Sequence, residues 1–488
     1  MSEHYYTSAT ELASGVRRRE ISPVEVVDDF LERIDERNDE LGAYTTIVAD
    51  KARRAATEIE TTLSQGDDPG PLAGVPIALK DLYGCKEGVR HTRGSSPFRD
   101  NIADNDAAVV ARLEDAGAVV LGMTNTPEFG HKGTTDNRLF GPTSTPYDLD
   151  RNAGGSSGGS AAAVVDGLAT LTHGGDAGGS LRIPAACCGA YAIKPTYRRI
   201  PSLDRPNGFG GVLGYSVNHG PITRTVADAA LMLDVMAGPH PRDPTCLPDS
   251  TTDYRAATTR SISDLEIAYT PDLGTFPVDD RVKRIVADAV TAFEDGGATV
   301  ESVGVDLKHS HRTITETWRT LVGVTYAAMA ETMADEQGIE LVGDHRDELT
   351  PEVVELIQTG RSVSASEYLR LHAVRTDLVD AIVDVFEEYD ILVTPTVAHP
   401  PVENASDGGT VGPSEVDSEP VDPLIGWCLT HPFNFTGHPA ASIPAGFTAD
   451  SLPVGMQIVG PRFNDGTVLA ASAAFERLRP WHGTYPPR

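Results

Sequence analysis

The chain has 488 residues, of which 40% are hydrophobic, and 71 Asp and Glu outweigh 40 Lys and Arg to give a net charge of −31. A chain of this length can bury a large core, and its acidity disfavours direct binding to nucleic acids or to anionic membranes. Seven of the basic residues are lysines. Scattered acid with scarce lysine indicates the cytoplasm of a halophile, with an acidic mesophilic enzyme as the alternative.

The cysteines and the N-terminus indicate a soluble cytoplasmic protein. Five Cys form no CxxC pair and no even framework, so we expect reduced thiols, no disulfide scaffold and no Cys-rich metal site. The N-terminal segment lacks the basic start and apolar core of a signal peptide, and no run of 18 apolar residues occurs. We expect no cofactor and no metal, and a homodimer is one possible assembly.

The first third of the chain predicts helices followed by a βαβ rhythm. Residues 7–63 are predicted to be helical, with Ser22 as a cap and Pro23 in the first turn. Residues 71–82 alternate apolar and small residues like a strand that ends near Lys80, and 105–122 predict a helix and then a strand.

The remainder alternates loops, helices and strands without an internal repeat or an obvious linker, so we expect one α/β domain over residues 1–488. In chain order we predict a loop (123–160), an amphipathic helix behind a Gly-Pro turn (220–238), alternating helix and strand (244–390), a Pro/Gly-rich surface loop (400–423), closing strands (433–460) and a last helix (466–478).

Lys80 is the first candidate for chemistry. It ends a stretch, 71–79, that carries no other charge, although an ordinary surface lysine is the alternative interpretation. Burial would remove the hydration of its cation and lower its pKa. Neutrality near pH 7 requires a decrease of roughly 3 to 4 units from about 10.4.

Two Gly/Ser clusters are the other candidates. The first, 154–160, contains G-x-S-x-G centred on Ser156 and on Ser157, but the preceding STPYDLDRNA is not predicted to be the strand that a nucleophile elbow needs. A phosphate loop is excluded because Ser160 stands where Lys is required.

The second cluster, 174–180, places Gly178 and Gly179 directly before Ser180. Successive glycines let backbone N–H groups converge, which suits a serine nucleophile beside an oxyanion hole. His173, on the strand entering the turn, is one candidate base. Lys80 acting through an intermediate serine is the other.

Together these segments resemble the amidase signature family, whose order they follow over nearly the whole chain. The matching stretches are GVPIALKDL (74–82), TNTPEFG (124–130), FGPTSTPYD (140–148), GGSSGGSAAAV (154–164), DAGGSLRIPA (176–185), KPT (194–196), GPITRTVADAALMLDVMAGPHPRDP (220–244), ILVTPT (391–396), PFNFTGHPAASIPAGF (432–447) and LPVGMQIVGPRF (452–463).

The resemblance implies one α/β/α domain with a large mixed β-sheet between helix layers. It implies a Ser–cis-Ser–Lys triad, with Lys80 as base, Ser156 as the bridging serine in a cis peptide and Ser180 as nucleophile. The backbone N–H groups of Ala177, Gly178, Gly179 and Ser180 would then hold the oxyanion.

Departures from the family pattern leave the triad intact. Ala177 replaces a frequent Thr and deletes a hydroxyl near the acyl site, which bears on the substrate pocket. We interpret Asp81, Asp176 and Arg182 as structural anchors of loops. The acyl pocket is expected to be lined partly by 123–131, 310–330 and 420–435.

The resemblance therefore implies an amidase that hydrolyses a small-molecule amide to an acid and ammonia or an amine. The A subunit of a tRNA-dependent amidotransferase, which releases ammonia from glutamine, is the alternative. Phe433-Asn434-Phe435-Thr436-Gly437 favours the general amidases. A non-enzymatic relic would need a broken triad.

Overall fold

The computed structural model describes residues 4–203, 207–209, 217–406 and 408–486, and its centre is a mixed β-sheet. The strands are Tyr44–Ile47 (β1), Pro76–Lys80 (β2), Val119–Thr124 (β3), Ser144–Thr145 (β4), Asp148–Asn152 (β5), Leu171–Asp176 (β6), Tyr191–Lys194 (β7), Asn218–Thr223 (β8), Glu266–Tyr269 (β9), Thr299–Ser302 (β10), Ile391–Pro395 (β11), Glu415–Val416 (β12), Glu419–Pro420 (β13), Ala440–Phe447 (β14) and Pro453–Val459 (β15).

Eleven of these strands form the large sheet, in the order β1-β3-β2-β6-β8-β7-β14-β15-β11-β9-β10. Strand β2 is parallel to both β3 and β6, whereas β6, β8, β7, β14, β15 and β11 follow one another antiparallel. The predicted α/β class with a large mixed sheet is confirmed.

Helices flank this sheet. They are Ala9–Arg17 (α1), Pro23–Leu41 (α2), Ala49–Gln65 (α3), Ala108–Asp115 (α4), Gly158–Val165 (α5), Arg182–Cys188 (α6), Val226–Met236 (α7), Tyr254–Ala257 (α8), Asp280–Val290 (α9), Ala292–Asp295 (α10), His311–Gln337 (α11), Pro351–Ser362 (α12), Ala365–Phe386 (α13), His431–Thr436 (α14) and Asp465–Leu478 (α15). The predicted start of α2 is confirmed, because Ser22 accepts from the Glu25 amide and Pro23 opens the helix.

Helix α5 is buried along its whole length and packs against β2, β6 and β8. Its sequence, GGSAAAVV, contains only small side chains in the first two turns, and that allows the close approach. At Gly159 an added Cβ would overlap the backbone of Asn125 and of Ala43. The Gly/Ser cluster therefore brings its own serines next to the sheet.

Two predictions made for loops and helices are wrong. Residues 7–63 are not wholly helical, because Tyr44–Ile47 forms strand β1 against β3, between a helix ended by Gly42 in the left-handed region and the start of α3. The stretch STPYDLDRNA does contain strands, since β4 and β5 pair as a short hairpin. These strands are short. Over so few residues, the alternation typical of a strand is a weaker signal in the sequence than the helical spacing and the turn residues on either side.

The predicted Gly-Pro turn at 220–221 is also wrong, since both residues lie inside β8, between β6 and β7. Gly220 is required there, because an added Cβ would overlap the Ile193 carbonyl and the Leu181 side chain. The following helix, α7, is mostly buried rather than amphipathic.

Helices α11 and α12 pack closely through two glycines. A Cβ at Gly360 would overlap the backbone of Gly323. Helix α11 also carries Trp318 and Tyr326, two buried aromatic residues that recur below. The glycine contact therefore fixes the helix that supplies those rings.

Gly360→Ala is expected to force α11 and α12 apart and to lower the free energy of unfolding by about 1 to 3 kcal/mol, as overpacking does. Urea unfolding followed by circular dichroism measures this. Gly304→Ala is the matched control, because a Cβ there meets nothing within 4 Å. An unchanged midpoint for Gly360→Ala would contradict the proposed close packing.

Candidate active site

The site forms where two neighbouring parallel strands end. Lys80 is the last residue of β2 and Asp176 the last residue of β6, and these strands pair with Leu79 opposite His173. The carboxyl ends of parallel strands meet at one edge of a sheet, so the Lys80 side chain and the Gly-rich turn after Asp176 come together there.

Lys80 is completely buried, and its Nζ donates a hydrogen bond of 2.6 Å to Ser156 Oγ. Burial lowers the pKa of Lys80 to about 7, against the opposing effect of the negative charge on Asp176. An amine with this pKa is neutral in about half of the molecules at pH 7. The structure therefore places a group able to accept a proton next to a serine hydroxyl.

Ser156 lies in the turn that precedes α5, and the peptide bond between Gly155 and Ser156 is cis. Gly130 packs against it, with an added Cβ only 3.1 Å from Ser156 Oγ. Gly130 also has φ of 77°, a conformation that favours glycine. Gly130 thus closes one side of the space around the Ser156 hydroxyl.

Ser180 lies at the end of the turn Ala177–Gly179, and its carbonyl accepts a 3.2 Å hydrogen bond from the Ser157 amide. Exposure rises from 0% at Lys80 through 2% at Ser156 to 8% at Ser180, so Ser180 is the most accessible of the three. Its hydroxyl forms no hydrogen bond with any residue that the structure describes. The Ser156 and Ser180 hydroxyls are therefore not hydrogen-bonded to each other in this structure.

Asp176 organises the turn before Ser180. Its carboxylate accepts from the amides of Gly179 at 2.8 Å and Leu181 at 3.2 Å, and it forms a bidentate ion pair with Arg182 at 2.9 Å on both sides. Burial alone would raise the pKa of Asp176, but the charge and hydrogen bonds of Arg182 outweigh it and lower that pKa to about 2. Asp176 is therefore ionised although it is fully buried.

The other side of Arg182 is held by the closing segments of the chain. Its guanidinium donates to the Thr430 carbonyl at 3.0 Å, to Asn434 Oδ1 at 2.7 Å and to Gln457 Oε1 at 2.6 Å. The Thr430 hydroxyl donates to the Gly178 carbonyl. This network fixes the path of the backbone through the turn.

Fewer backbone N–H groups of the turn are available as oxyanion donors than the sequence predicts. The N–H of Gly179 is already bonded to Asp176, which disfavours its predicted place among the oxyanion donors. The amides of Ala177, Gly178 and Ser180 meet no acceptor in the described segments of the chain. These three can still donate to an oxygen in front of Ser180.

His173, the other candidate base, is paired elsewhere. Its Nε2 lies 3.0 Å from Nδ1 of His219, and the rings are stacked. Burial first, then the charges of His219 and Lys80, lower the pKa of His173 well below its usual value. His173 contacts neither serine through a hydrogen bond, which favours Lys80 as the base.

Aromatic side chains lie around the site. Trp318 packs against Gly178, and its indole N–H donates to the Ala177 carbonyl at 3.4 Å. Tyr326 donates to the Phe129 carbonyl at 2.7 Å, and the ring of Tyr83 lies 5.8 Å from Lys80 Nζ. Of the segments expected to line the acyl pocket, 310–330 and 420–435 contact the turn through Trp318 and Thr430, and 123–131 contacts Ser156 through Gly130.

Some of these residues could not be identified as functional from the sequence. Asn434 and Gln457 fall inside stretches that match the family, which was the available signal. Trp318 and Tyr83 had none, because an aromatic residue in a helix or after a strand is usually core.

Three further findings concern the described residues alone. No helix among them is both long and apolar enough to cross a bilayer. In the same part of the chain, no group of three or more His, Cys, Asp or Glu side chains is arranged to hold a metal ion. All five cysteines are free.

Comparison with known proteins gives consistent relatives along the whole chain. The sequence profile of the Amidase family matches residues 25–469. An acylamidase of Rhodococcus erythropolis is 37% identical over 485 residues, covering 99% of this chain and 97% of that protein. The A subunit of the glutamyl-tRNA(Gln) amidotransferase of Carboxydothermus hydrogenoformans is 34% identical over 99% of both chains.

Solved structures agree with this. A bacterial aryl acylamidase of the amidase signature family superimposes with a TM-score of 0.96 at 39% identity, covering 99% of this chain and 98% of that one. A 6-aminohexanoate cyclic dimer hydrolase complexed with substrate gives 0.87 at 29% identity, with 98% of each chain covered.

The buried amine predicts a pH-dependent stability. Because the pKa of Lys80 falls from 10.5 to about 7 on folding, the unfolded chain binds more protons between these values, and stability rises with pH across that window. Raising the pH from about 7 to about 9 is expected to stabilise the wild type relative to Lys80→Met by about 2 kcal/mol. Urea titrations at both pH values measure it.

The exposed Lys308→Met substitution is the control and should follow the wild type. If Lys80→Met and the wild type gain equally on raising the pH, the amine is not desolvated.

Proposed function

The chain belongs to the Amidase family and hydrolyses carboxylic amide bonds, and on this premise we propose that it does so through an acyl-enzyme formed on Ser180. Lys80 is the base and Ser156 carries the proton between them. The observation that carries this proposal is the 2.6 Å hydrogen bond between a fully buried lysine and Ser156.

Neutral Lys80 takes the hydroxyl proton of Ser156 while Ser156 takes that of Ser180. Ser180 Oγ then bonds to the amide carbon, and the carbonyl oxygen becomes an oxyanion. When the C–N bond breaks, the same path returns a proton to the leaving nitrogen. Water, deprotonated along that path, attacks the ester and releases the acid with Ser180 restored.

The oxyanion is held by backbone N–H groups. The amides of Ala177, Gly178 and Ser180 have no acceptor in the described structure and are available, whereas Gly179 supports the turn by bonding to Asp176. Donors fixed before the reaction do not reorganise when the charge develops.

Aryl acylamides are the proposed substrates. Trp318, Tyr326 and Tyr83 give the approach an aromatic wall, which suits the ring of an anilide through edge and face contacts. The names of two relatives, acylamidase and aryl acylamidase, support the same class.

A second candidate is the A subunit of a tRNA-dependent amidotransferase, favoured by the 34% identity to one such protein. The same serine and lysine would then release ammonia from glutamine. The identity to the acylamidase is higher over the same share of the chain, so this candidate ranks second.

The composition supports a cytoplasm of high salt as the setting of this activity. The net charge of −31 and the seven lysines favour a cytoplasm of high salt, where ions screen the repulsion between carboxylates. The same charge disfavours direct binding to nucleic acid. A homodimer stays a proposal.

Removing Lys80 is expected to abolish turnover. Lys80→Ala should lower kcat/KM by at least about a thousandfold, as removing a member of a catalytic triad does, and Lys80→Arg should not restore it because a guanidinium stays protonated. In the wild type kcat/KM should rise with pH along a limb with an apparent pKa near 7. Lys308→Ala is the matched control.

Near-normal turnover in Lys80→Ala, with the fold verified by circular dichroism, would rule out the lysine relay.

The two candidate functions differ in what the purified chain does alone. We expect it to release aniline from acetanilide without a partner, and to release ammonia from glutamine far more slowly. Assays in dilute buffer and in molar KCl also test the proposed high-salt setting. Ammonia release from glutamine that requires a tRNA-binding partner, with no aniline released, would reverse the ranking.

A further inference from the structure

Arg93 carries a half-buried guanidinium that has no hydrogen-bond acceptor in the described part of the chain. This guanidinium stacks on the Phe98 ring at 4.8 Å, and no carboxylate of the described residues forms an ion pair with it. Burial lowers the pKa of Arg93, with only partial compensation from the charges of Cys85, Asp81 and Tyr83. None of its nitrogens is among the fully buried side-chain atoms that lack a partner, so its N–H groups are accessible to a ligand.

Other buried or half-buried arginines that lack a carboxylate partner donate to backbone carbonyls. Arg112 donates to four consecutive backbone carbonyls at residues 236–239. Arg224 donates to the carbonyls of Thr7, Val164 and Ala169. The lack of any such acceptor therefore distinguishes Arg93 from these two.

Arg93 lies beside the site. Its carbonyl accepts a 2.8 Å hydrogen bond from the Phe129 amide, one residue before Gly130, which packs on Ser156. Its charge acts on Tyr83, whose ring contacts Gly175 and faces Lys80. Tyr83 is therefore close to both the Arg93 guanidinium and the Lys80 amine.

The backbone fixes this position. Arg93 has φ of 57°, a region that non-glycine residues seldom occupy, and it follows Thr92. The Thr92 amide and hydroxyl donate to Asp81 at 2.8 and 2.6 Å. Because Asp81 directly follows Lys80 and Thr92 directly precedes Arg93, these two hydrogen bonds tie the backbone at Arg93 to the end of β2.

The two acidic side chains that act on Arg93, Asp81 and Cys85, do not form an ion pair with its guanidinium. Asp81 accepts from Thr92 and Thr45, and burial raises its pKa to about 6. Burial also raises the pKa of the Cys85 thiol, which keeps it uncharged. With its face on Phe98, the guanidinium keeps its edge N–H groups for a planar oxyanion.

We propose that Arg93 binds a carboxylate carried by the substrate, so that amides bearing an acid group are preferred over neutral amides of the same shape. This rests on the proposed function and deepens it by naming a substrate class. Arg93 determines specificity in this proposal and takes no part in the proton relay.

Paired substrates test the proposal. One pair, 4-acetamidobenzoate and 4-methylacetanilide, differs by a carboxylate on the amine side, and the other, succinanilate and butyranilide, by one on the acyl side. The wild type should favour the acid of at least one pair by about 10- to 100-fold in kcat/KM, the range of a hydrogen-bonded charge pair. Equal rates within both pairs would overturn the proposal.

Variants assign the preference to Arg93. Arg93→Gln should remove most of that selectivity ratio, which is independent of the fraction of folded enzyme, and Arg93→Lys should retain part of it. Arg99→Gln makes the same charge change at an exposed position of the same segment and should keep the wild-type ratio. An unchanged ratio in Arg93→Gln would overturn the assignment.

A binding experiment separates this proposal from the proposed function. In a Ser180→Ala background, calorimetry with the acid of the preferred pair, 4-acetamidobenzoate or succinanilate, should show about 10- to 100-fold weaker binding when Arg93 is also Gln. Equal affinity in both proteins would overturn the Arg93 proposal even if the enzyme is an amidase. Weaker binding would support it even if turnover uses another residue.

Discussion

The exclusion of water from the Lys80 amine is the constraint on which the rest of the site depends. An exposed lysine is almost fully protonated at neutral pH and cannot accept a proton from a serine. Burial at the end of β2 brings its pKa to about 7, because the fold covers it with α5, the Gly130 loop and Tyr83. The small residues of the first Gly/Ser cluster, which the sequence predicted to lie in a loop, allow α5 to pack closely over the amine.

Burial does not by itself make a base, and Lys194 shows this. It is also completely buried at the end of a strand, and burial likewise lowers its pKa to about 7. Its Nζ donates to the carbonyl of Pro195, which holds no transferable proton. Lys80 differs by having a serine hydroxyl as its partner, and for this reason the proposed mechanism assigns the base to Lys80 rather than to Lys194.

The large mixed sheet, the meeting of Lys80 with Ser156 and the cis peptide before Ser156 could be anticipated from the sequence, because the residues concerned lie in stretches with a family counterpart. Strand β1, the β4–β5 hairpin and the strand through Pro221 could not, since pairing with distant strands overrides local turn and helix signals. Arg93 had no signal either. Only the three-dimensional contacts of Arg93 distinguish this half-buried guanidinium, which has no acceptor among the described residues, from the other arginines of the chain.

Asp176 links the surroundings of Lys80 to the closing segments of the chain. Its negative charge acts on Lys80 and opposes the lowering of the Lys80 pKa by burial. The same carboxylate is held in a bidentate pair by Arg182, whose remaining donors are taken by Thr430, Asn434 and Gln457. Residues far apart in the sequence therefore fix the charge that acts on the amine, although none of the closing residues contacts Lys80 through a hydrogen bond. The Asp176 carboxylate also accepts from the Gly179 amide, and thereby shapes the turn that presents Ser180.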